Sequence, residues 1–163
     1  MKVTLACIAA AALALPATAA ARDSLGIFEG WGAFRDDRPL RCFAIAEPVR
    51  PGKGAWRPFA AVAHWPGRGA RNQVNIRLSR ALAPGAQVTL GIGERNFAMV
   101  AGGADAWAPD ARTDAAIVAA MRSGSLMSIS AQAASGGRFT DSYRLRGAAT
   151  AIDAAALGCA RRR

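Results

Sequence analysis

The sequence predicts a mainly β, antiparallel sandwich with one or two short helices, and three observations point to this fold class. Apolar residues alternate with polar residues in several short runs, and Gly or Pro interrupts the runs at intervals of roughly ten residues. The hydrophobic class makes up 52% of the chain, which excludes a disordered protein. The length of 163 residues corresponds to one domain. A β-barrel would show the same pattern, and we prefer the sandwich.

The strands follow from the alternating runs, taken in order along the chain. The first run contains Ile27, Trp31 and Phe34, and the second contains Cys42 and Ala44 before a group of prolines ends it. The remaining strands are predicted at residues 58–65, 74–78, 88–92, 97–100, 126–130 and 139–145.

Two stretches break the alternation and predict helices. Residues 110–121 start at Asp110, a good N-cap residue, continue through helix-forming residues and stop before Gly124. Residues 148–157 are rich in Ala and place an apolar stripe beside Cys159. We expect one short helix in the first stretch and a terminal helix or turn in the second.

Residues 1–21 have the three parts of a secretory signal peptide. Lys2 gives a positive start, residues 3–15 are almost entirely apolar, and residues 16–21 end in small side chains. The apolar run is shorter than the ~20 residues that a membrane-spanning helix needs, so we expect cleavage and no transmembrane segment. The alternative is a buried N-terminal helix. Cleavage after Ala19, Ala20 or Ala21 fits this pattern equally well, and it would leave a single exported domain at residues 22–163, periplasmic or secreted.

The cysteines fit an exported protein. Cys7 would leave with the signal peptide, so Cys42 and Cys159 would remain as a pair. A pair of cysteines in an oxidising compartment predicts a disulfide. The alternative is two separately buried free thiols.

The composition argues against most enzyme classes. One His and three Cys leave few ligands for a metal site or a His-based catalytic centre, so we expect no catalytic residue, no metal and no cofactor. His64 lies in an apolar run beside Trp65, where we expect a strand His packed against an aromatic ring. The enzymatic alternative is a periplasmic hydrolase that uses His64 with a nearby Ser or Asp. Asp36 and Asp37 are expected in a solvated turn.

The tryptophans and glycines have structural explanations. Trp31 and Trp107 occur in strand-like contexts and are expected in the core, whereas Trp56 is expected to be partly exposed. The glycine-rich pieces at residues 91–93 and 102–103 lack the following helix that a phosphate-binding loop needs. We expect them to form turns.

The positive charge is the one feature with a functional implication. The net charge is +10, and residues 35–80 hold ten basic and three acidic residues. Such a surface attracts polyanions, and Arg suits bidentate capture of phosphate or carboxylate. Lipopolysaccharide and phospholipid head groups fit an exported protein better than nucleic acid does. Because 19 of the 21 basic residues are Arg, a GC-rich genome and a need for solubility explain the charge equally well. The candidate polyanion-binding residues are Arg50, Lys53, Arg57, Arg68, Arg71, Arg77 and Arg80.

Short motifs follow one another along the whole of residues 22–163. They are Gly30-Trp31, residues 42–48, Arg57-Pro58-Phe59, Gln73-Val74-Asn75, Gly91-Ile92-Gly93, Ala106-Trp107, residues 114–124 with Met127, residues 137–147, and an Ala-rich end with Cys159. In this order and spacing they resemble the invasion-associated locus B family of exported alphaproteobacterial proteins. The chain departs from the family at residues 79–81, where the family often has a Gly-Tyr pair. It also has no Cys between Trp31 and Cys42, where many members place one.

The resemblance implies an immunoglobulin-like β-sandwich in the periplasm or outer envelope, from a family linked to host-cell invasion in pathogens. We therefore expect a non-enzymatic envelope protein that contacts envelope or host-surface components. A periplasmic stress or folding accessory protein is the alternative that differs only in its partner.

Overall fold

The computed structural model describes residues 22–52 and 56–160. The predicted signal peptide at residues 1–21, the candidate anion-binding residue Lys53 and the basic tail at residues 161–163 lie outside the described residues.

Ten strands occur in this part of the chain, and they agree with the alternating runs apart from the first run and one additional short strand. They are β1 (Arg22–Phe28), β2 (Trp31–Asp37), β3 (Leu40–Ala46), β4 (Phe59–Trp65), β5 (Ala70–Arg77), β6 (Val88–Ile92), β7 (Arg95–Gly102), β8 (Asp105–Trp107), β9 (Leu126–Gln132) and β10 (Arg138–Arg144).

The strands form one antiparallel sheet in the order β1-β2-β3-β4-β5-β8-β7-β6-β9-β10. Strand β7 pairs with β6 through residues 95–99 and with β8 through residues 100–102. It therefore connects the first half of the sheet, β1–β5 with β8, to the second half, which contains β6, β9 and β10. The last strand, β10, lies against the first half of the sheet. Trp31 on β2 donates its Nε1–H to the carbonyl of Arg144 at the end of β10 at 2.8 Å. Val49 also donates its backbone N–H to Ser142 at 2.7 Å. The predicted mainly β, antiparallel, sandwich-like fold is confirmed.

Two helices complete the fold, as predicted. Helix α1 (Ala111–Ser123) begins after Asp110, whose side chain accepts a hydrogen bond from the Thr113 N–H at 2.7 Å, and it ends at Gly124. Helix α2 (Ala148–Ala160) runs three residues beyond the predicted end. No helix among residues 22–52 and 56–160 is long and apolar enough to cross a membrane.

Both helices pack on the same face of the sheet, α1 on β5 and α2 on β1 to β4. We call this the inner face; its strand side chains include the buried Ala33, Ala44, Val62 and Val74, which belong to the continuous apolar core. The opposite side of β1–β5, β8 and the end of β7 is the outer face. The predicted disulfide is confirmed: Cys42 on the inner face of β3 is bonded to Cys159 near the end of α2, with the Cα atoms 5.7 Å apart.

Two local expectations are wrong. Trp107 is 38% exposed, because it lies on the outer face, where neither helix packs. Asp36 and Asp37 lie within β2 rather than in a solvated turn. Asp36 accepts hydrogen bonds from Arg22 at 2.8 Å and from Arg41 at 2.7 Å, so its charge is balanced within the sheet.

Candidate functional site

A polar cavity of about 560 Å³ brings together three segments that are distant in the sequence. The connection between β3 and β4 contributes Arg50 and Gly52, and the residues after β5 contribute Ser79 and Arg80. The third segment is the β9–β10 hairpin, whose lining residues are Ser135, Arg138, Phe139, Thr140 and Asp141. Three arginines and one aspartate thus line the cavity.

Asp141 fixes the geometry of this cavity. Its side chain is buried, and Oδ2 accepts a hydrogen bond from the backbone N–H of Ser79 at 2.8 Å. A Cβ atom added to Gly52 would lie 3.2 Å from Cβ of Ser79, so this glycine lets the two loops approach each other. Because the Asp141 carboxylate is already bound to a backbone amide, it serves to position the Ser79-Arg80 segment.

The three arginines of the cavity keep free hydrogen-bonding capacity. Arg80 lies over the ring of Phe139, with 5.9 Å between the guanidinium carbon and the ring centroid. No carboxylate in the described part of the chain forms a salt bridge with Arg50, Arg80 or Arg138. Exposed, unpaired guanidinium groups around one concavity can bind phosphate or carboxylate through paired N–H donors.

The other candidate arginines lie elsewhere. Arg57 pairs with Glu47 at 2.7 Å, and Arg77 pairs with Asp105 at 2.8 Å. Arg68 lies over the ring of Trp65. Among the predicted residues that the structure describes, Arg50 and Arg80 are therefore the two that line the cavity. Sequence reasoning missed Arg138, because it lies far along the chain from the basic stretch and reaches the cavity only through the β9–β10 hairpin.

His64 is a buried strand residue, as expected. Its Nδ1 accepts a hydrogen bond from the backbone N–H of Asn72 at 3.4 Å, and its Nε2 has no hydrogen-bond partner in the described chain. Burial lowers the pKa of His64, the positive charge of Arg71 lowers it further, and a contact with the backbone of Ile152 opposes the shift. The described contacts include no serine or carboxylate side chain hydrogen-bonded to the ring.

Among the tryptophans, Trp31 is fully buried, as expected for a core residue. Trp56 is half-buried and donates its Nε1–H to the carbonyl of Leu78 at 2.8 Å, which agrees with the predicted partial exposure. The predicted turns also occur, with Gly93 between β6 and β7 and Gly103 between β7 and β8, each at positive φ.

Comparison with known proteins identifies one fold of the same kind. The crystal structure of invasion associated protein B from Bartonella henselae is similar to this chain, with a TM-score of 0.56 and 18% sequence identity over 82% of this chain and 96% of that chain. No family model matches the chain, and no curated protein matches its sequence. At 18% identity the likeness shows a shared fold. It supports the family resemblance of the sequence as far as the fold is concerned.

Proposed function

We propose that this chain is an exported, non-enzymatic envelope protein, periplasmic or secreted, that binds anionic envelope or host-surface components through arginine side chains. Export is supported by the signal-peptide pattern at residues 1–21 and by the Cys42–Cys159 disulfide, a bond that oxidising compartments preserve. The fold shared with an invasion associated protein supports an envelope role.

The cavity of Arg50, Arg80 and Arg138 is the observation that carries the binding proposal. Three arginines line one cavity, and the carboxylate of Asp141, the one acidic residue in its lining, is held by the amide of Ser79. A phosphate group in this position would accept several charge-assisted hydrogen bonds. Phosphate is carried both by phospholipid head groups and by lipopolysaccharide, so we assign the phosphate group itself as the ligand chemistry.

Binding to vesicles and to lipopolysaccharide tests the proposal. The purified protein is expected to bind phosphatidylglycerol vesicles or lipopolysaccharide at low salt, and to bind phosphatidylcholine vesicles much more weakly, with affinity that falls as salt rises. The double variant Arg80→Gln/Arg138→Gln should weaken this binding about tenfold or more, since it removes charged hydrogen-bond donors. The two anionic ligands distinguish a phospholipid from a lipopolysaccharide source.

A second double variant provides the matched control. Arg95→Gln/Arg112→Gln removes the same charge from exposed positions outside the cavity, on β7 and α1. Equal weakening by both double variants would mean that net charge alone drives binding, and the cavity would then not be the site. Equal binding to anionic and neutral vesicles would exclude the proposed function.

A further inference from the structure

The outer face of the sheet carries a row of mostly apolar residues that crosses seven strands. Cross-strand pairing aligns its members, and alternation along each strand turns them all away from α1 and α2. In order from β1 to β7 the row is Ile27, Gly32, Ile45, Ala61, Asn75, Trp107 and Val100. Ile27 is 66% exposed and Val100 is 55% exposed, and no helix in the described residues covers this face. Gly32 and Ala61 are buried and Asn75 is polar, but the exposed apolar side chains at the two ends of the row favour a ligand surface.

One end of the row opens into an apolar cavity of about 380 Å³. Ile27, Phe34, Ile45 and Phe59 form its walls, and the buried Trp31 also lines it. The volume lies within the range of about 300–1,000 Å³ that small-molecule sites occupy. A hydrocarbon chain in this cavity would contact these apolar side chains.

Beyond Phe34 the outer face becomes cationic. The rings of Phe34 and Phe43 are 5.8 Å apart, and Phe43 belongs to a stack in which cationic and aromatic side chains alternate. We call it the arginine–aromatic stack; its members, in order, are Arg22, Phe43, Arg41, Trp65 and Arg68, with 4.8 to 5.3 Å between each guanidinium carbon and the adjacent ring centroid. Stacking fixes the planes of the guanidinium groups.

The charges differ between the two ends of this surface. At the cavity rim, Glu47 pairs with Arg57 and Glu29 pairs with Arg146, so each acid there is balanced by one base. In the arginine–aromatic stack the only salt-bridge partner in the described chain is Asp36, which is shared by Arg22 and Arg41. Three arginines against one aspartate leave a positive excess beside the apolar cavity.

We propose that the outer face binds an amphiphile with one alkyl chain and one anionic head group, of the class of long-chain carboxylates. The chain lies in the cavity of Ile27, Phe34, Ile45 and Phe59, and the head group lies at Arg22 and Arg41. This site is distinct from the polar cavity of Arg50, Arg80 and Arg138, and it takes a different class of ligand.

Calorimetric titration with dodecanoate below its micelle concentration tests this assignment. Each methylene removed from the chain should weaken binding about fourfold, because a buried methylene contributes a constant increment. Dodecyltrimethylammonium, which has the same chain and the opposite charge, should bind roughly tenfold or more weakly, because it loses the charged hydrogen bonds of the head group. Acetate should give no measurable heat.

Matched variants locate the ligand. Ile27→Glu places a carboxylate at the cavity and should weaken dodecanoate binding about tenfold, whereas Val100→Glu makes the same kind of change at the far end of the same row and should leave binding unchanged. Arg41→Gln should reduce the preference for dodecanoate over the cationic amphiphile. Arg95→Gln, which removes another ring-stacked arginine 5.0 Å from the Phe97 ring, should preserve that preference.

Three results would overturn the proposal: equal binding of the two dodecyl amphiphiles, absence of a chain-length dependence, or equal effects of Ile27→Glu and Val100→Glu. Thermal unfolding of the variants checks that each remains folded, and both glutamate substitutions are at exposed positions. The double variant Arg80→Gln/Arg138→Gln should bind dodecanoate normally, so failure of vesicle binding and failure of this proposal are separate results.

Discussion

His64 is held in its neutral form by the backbone around it. It lies where the register between β4 and β5 shifts, and its Nδ1 accepts the N–H of Asn72, a residue with a left-handed φ of 57°. The ring proton is therefore on Nε2. A protonated ring would direct a second N–H at the Asn72 amide and would place a charge in a buried site near Arg71. The local structure thus opposes protonation.

This environment predicts a dependence of stability on pH. The pKa of His64 is lowered in the folded state from its usual value of 6.5, so the unfolded chain takes up the proton first as pH falls. Well above pH 6.5 the ring is neutral in both states and its contribution is constant. Below this value the free energy of unfolding should decrease as pH falls towards the lowered pKa.

Urea unfolding of the wild type and of His64→Gln between pH 5.5 and 8 measures this effect. The glutamine side chain carries an acceptor and does not titrate, so the decrease at acidic pH should be smaller in the variant. Parallel pH profiles for the two proteins would contradict the assignment of the effect to His64.

At the same scale, the positions of single residues could be predicted where local pattern decides them. Trp31 and His64 lie in strands with apolar neighbours, and both are buried. Trp107 has a similar context, but its exposure depends on which face the helices cover, which short-range pattern does not specify. Arg138 and Arg80 line the same cavity only because the folded chain places the β9–β10 hairpin beside the β5–β6 connection. The candidate cavity was therefore only partly predictable.

At the scale of elements, the first predicted run is two strands joined by a tight turn. Glu29 has a φ of 55° and Gly30 follows it, so the turn uses a glutamate where Asn or Asp is usual in short hairpins. Because glutamate is not typical of such turns, the sequence pattern does not indicate that a turn divides this run. Gly147 has a φ of 86°, and an added Cβ would collide with the carbonyl of Phe28, so only glycine lets the start of α2 lie against this turn.

A side chain of helix α1 replaces a strand as the hydrogen-bond partner of part of β5. Strand β8 pairs with β5 only at residues 75–77, and the N–H of Val74, the next residue, donates to Oδ1 of Asp114 at 2.8 Å instead. Burial raises the pKa of Asp114, the hydrogen bond from Val74 opposes this, and the charge of Asp110 adds to the rise. The side chain thus satisfies a buried backbone donor despite the desolvation of its own charge.

Substitutions at Asp114 test this contact. Asp114→Ala leaves the Val74 N–H unpaired and should lower the free energy of unfolding by about 1–3 kcal/mol. Asp114→Asn keeps an oxygen acceptor and should cost less than the alanine variant. Arg112→Ala, at an exposed position on the same helix, should change stability by less than about 0.5 kcal/mol. Denaturant unfolding at neutral pH measures all three, and equal losses for the alanine and asparagine variants at Asp114 would contradict the hydrogen-bond argument.

At the scale of the whole molecule, the strand content and the two helices could be predicted from alternation and from turn residues, but the path of the sheet could not. Strand β7 belongs to both halves, and β8 inserts between β5 and β7. Alternation along one strand shows which side chains share a face, and it does not identify the neighbouring strand. The disulfide was predictable because only one pair of cysteines remains after residue 21.

The disulfide connects an early strand of the sheet to the C-terminal helix. It joins β3 to α2 across a sequence separation of 117 residues, so it restricts the unfolded chain strongly while α2 covers the first four strands. For a loop of this length the chain-entropy model gives about 4–5 kcal/mol of stabilisation.

Reduction with dithiothreitol should therefore lower the urea midpoint of the wild type markedly. The double variant Cys42→Ala/Cys159→Ala should unfold near the reduced wild type and should not respond to reductant. Two titratable thiols in the denatured, unreduced protein, or a wild-type midpoint that reduction leaves unchanged, would show that the bond is absent or contributes little.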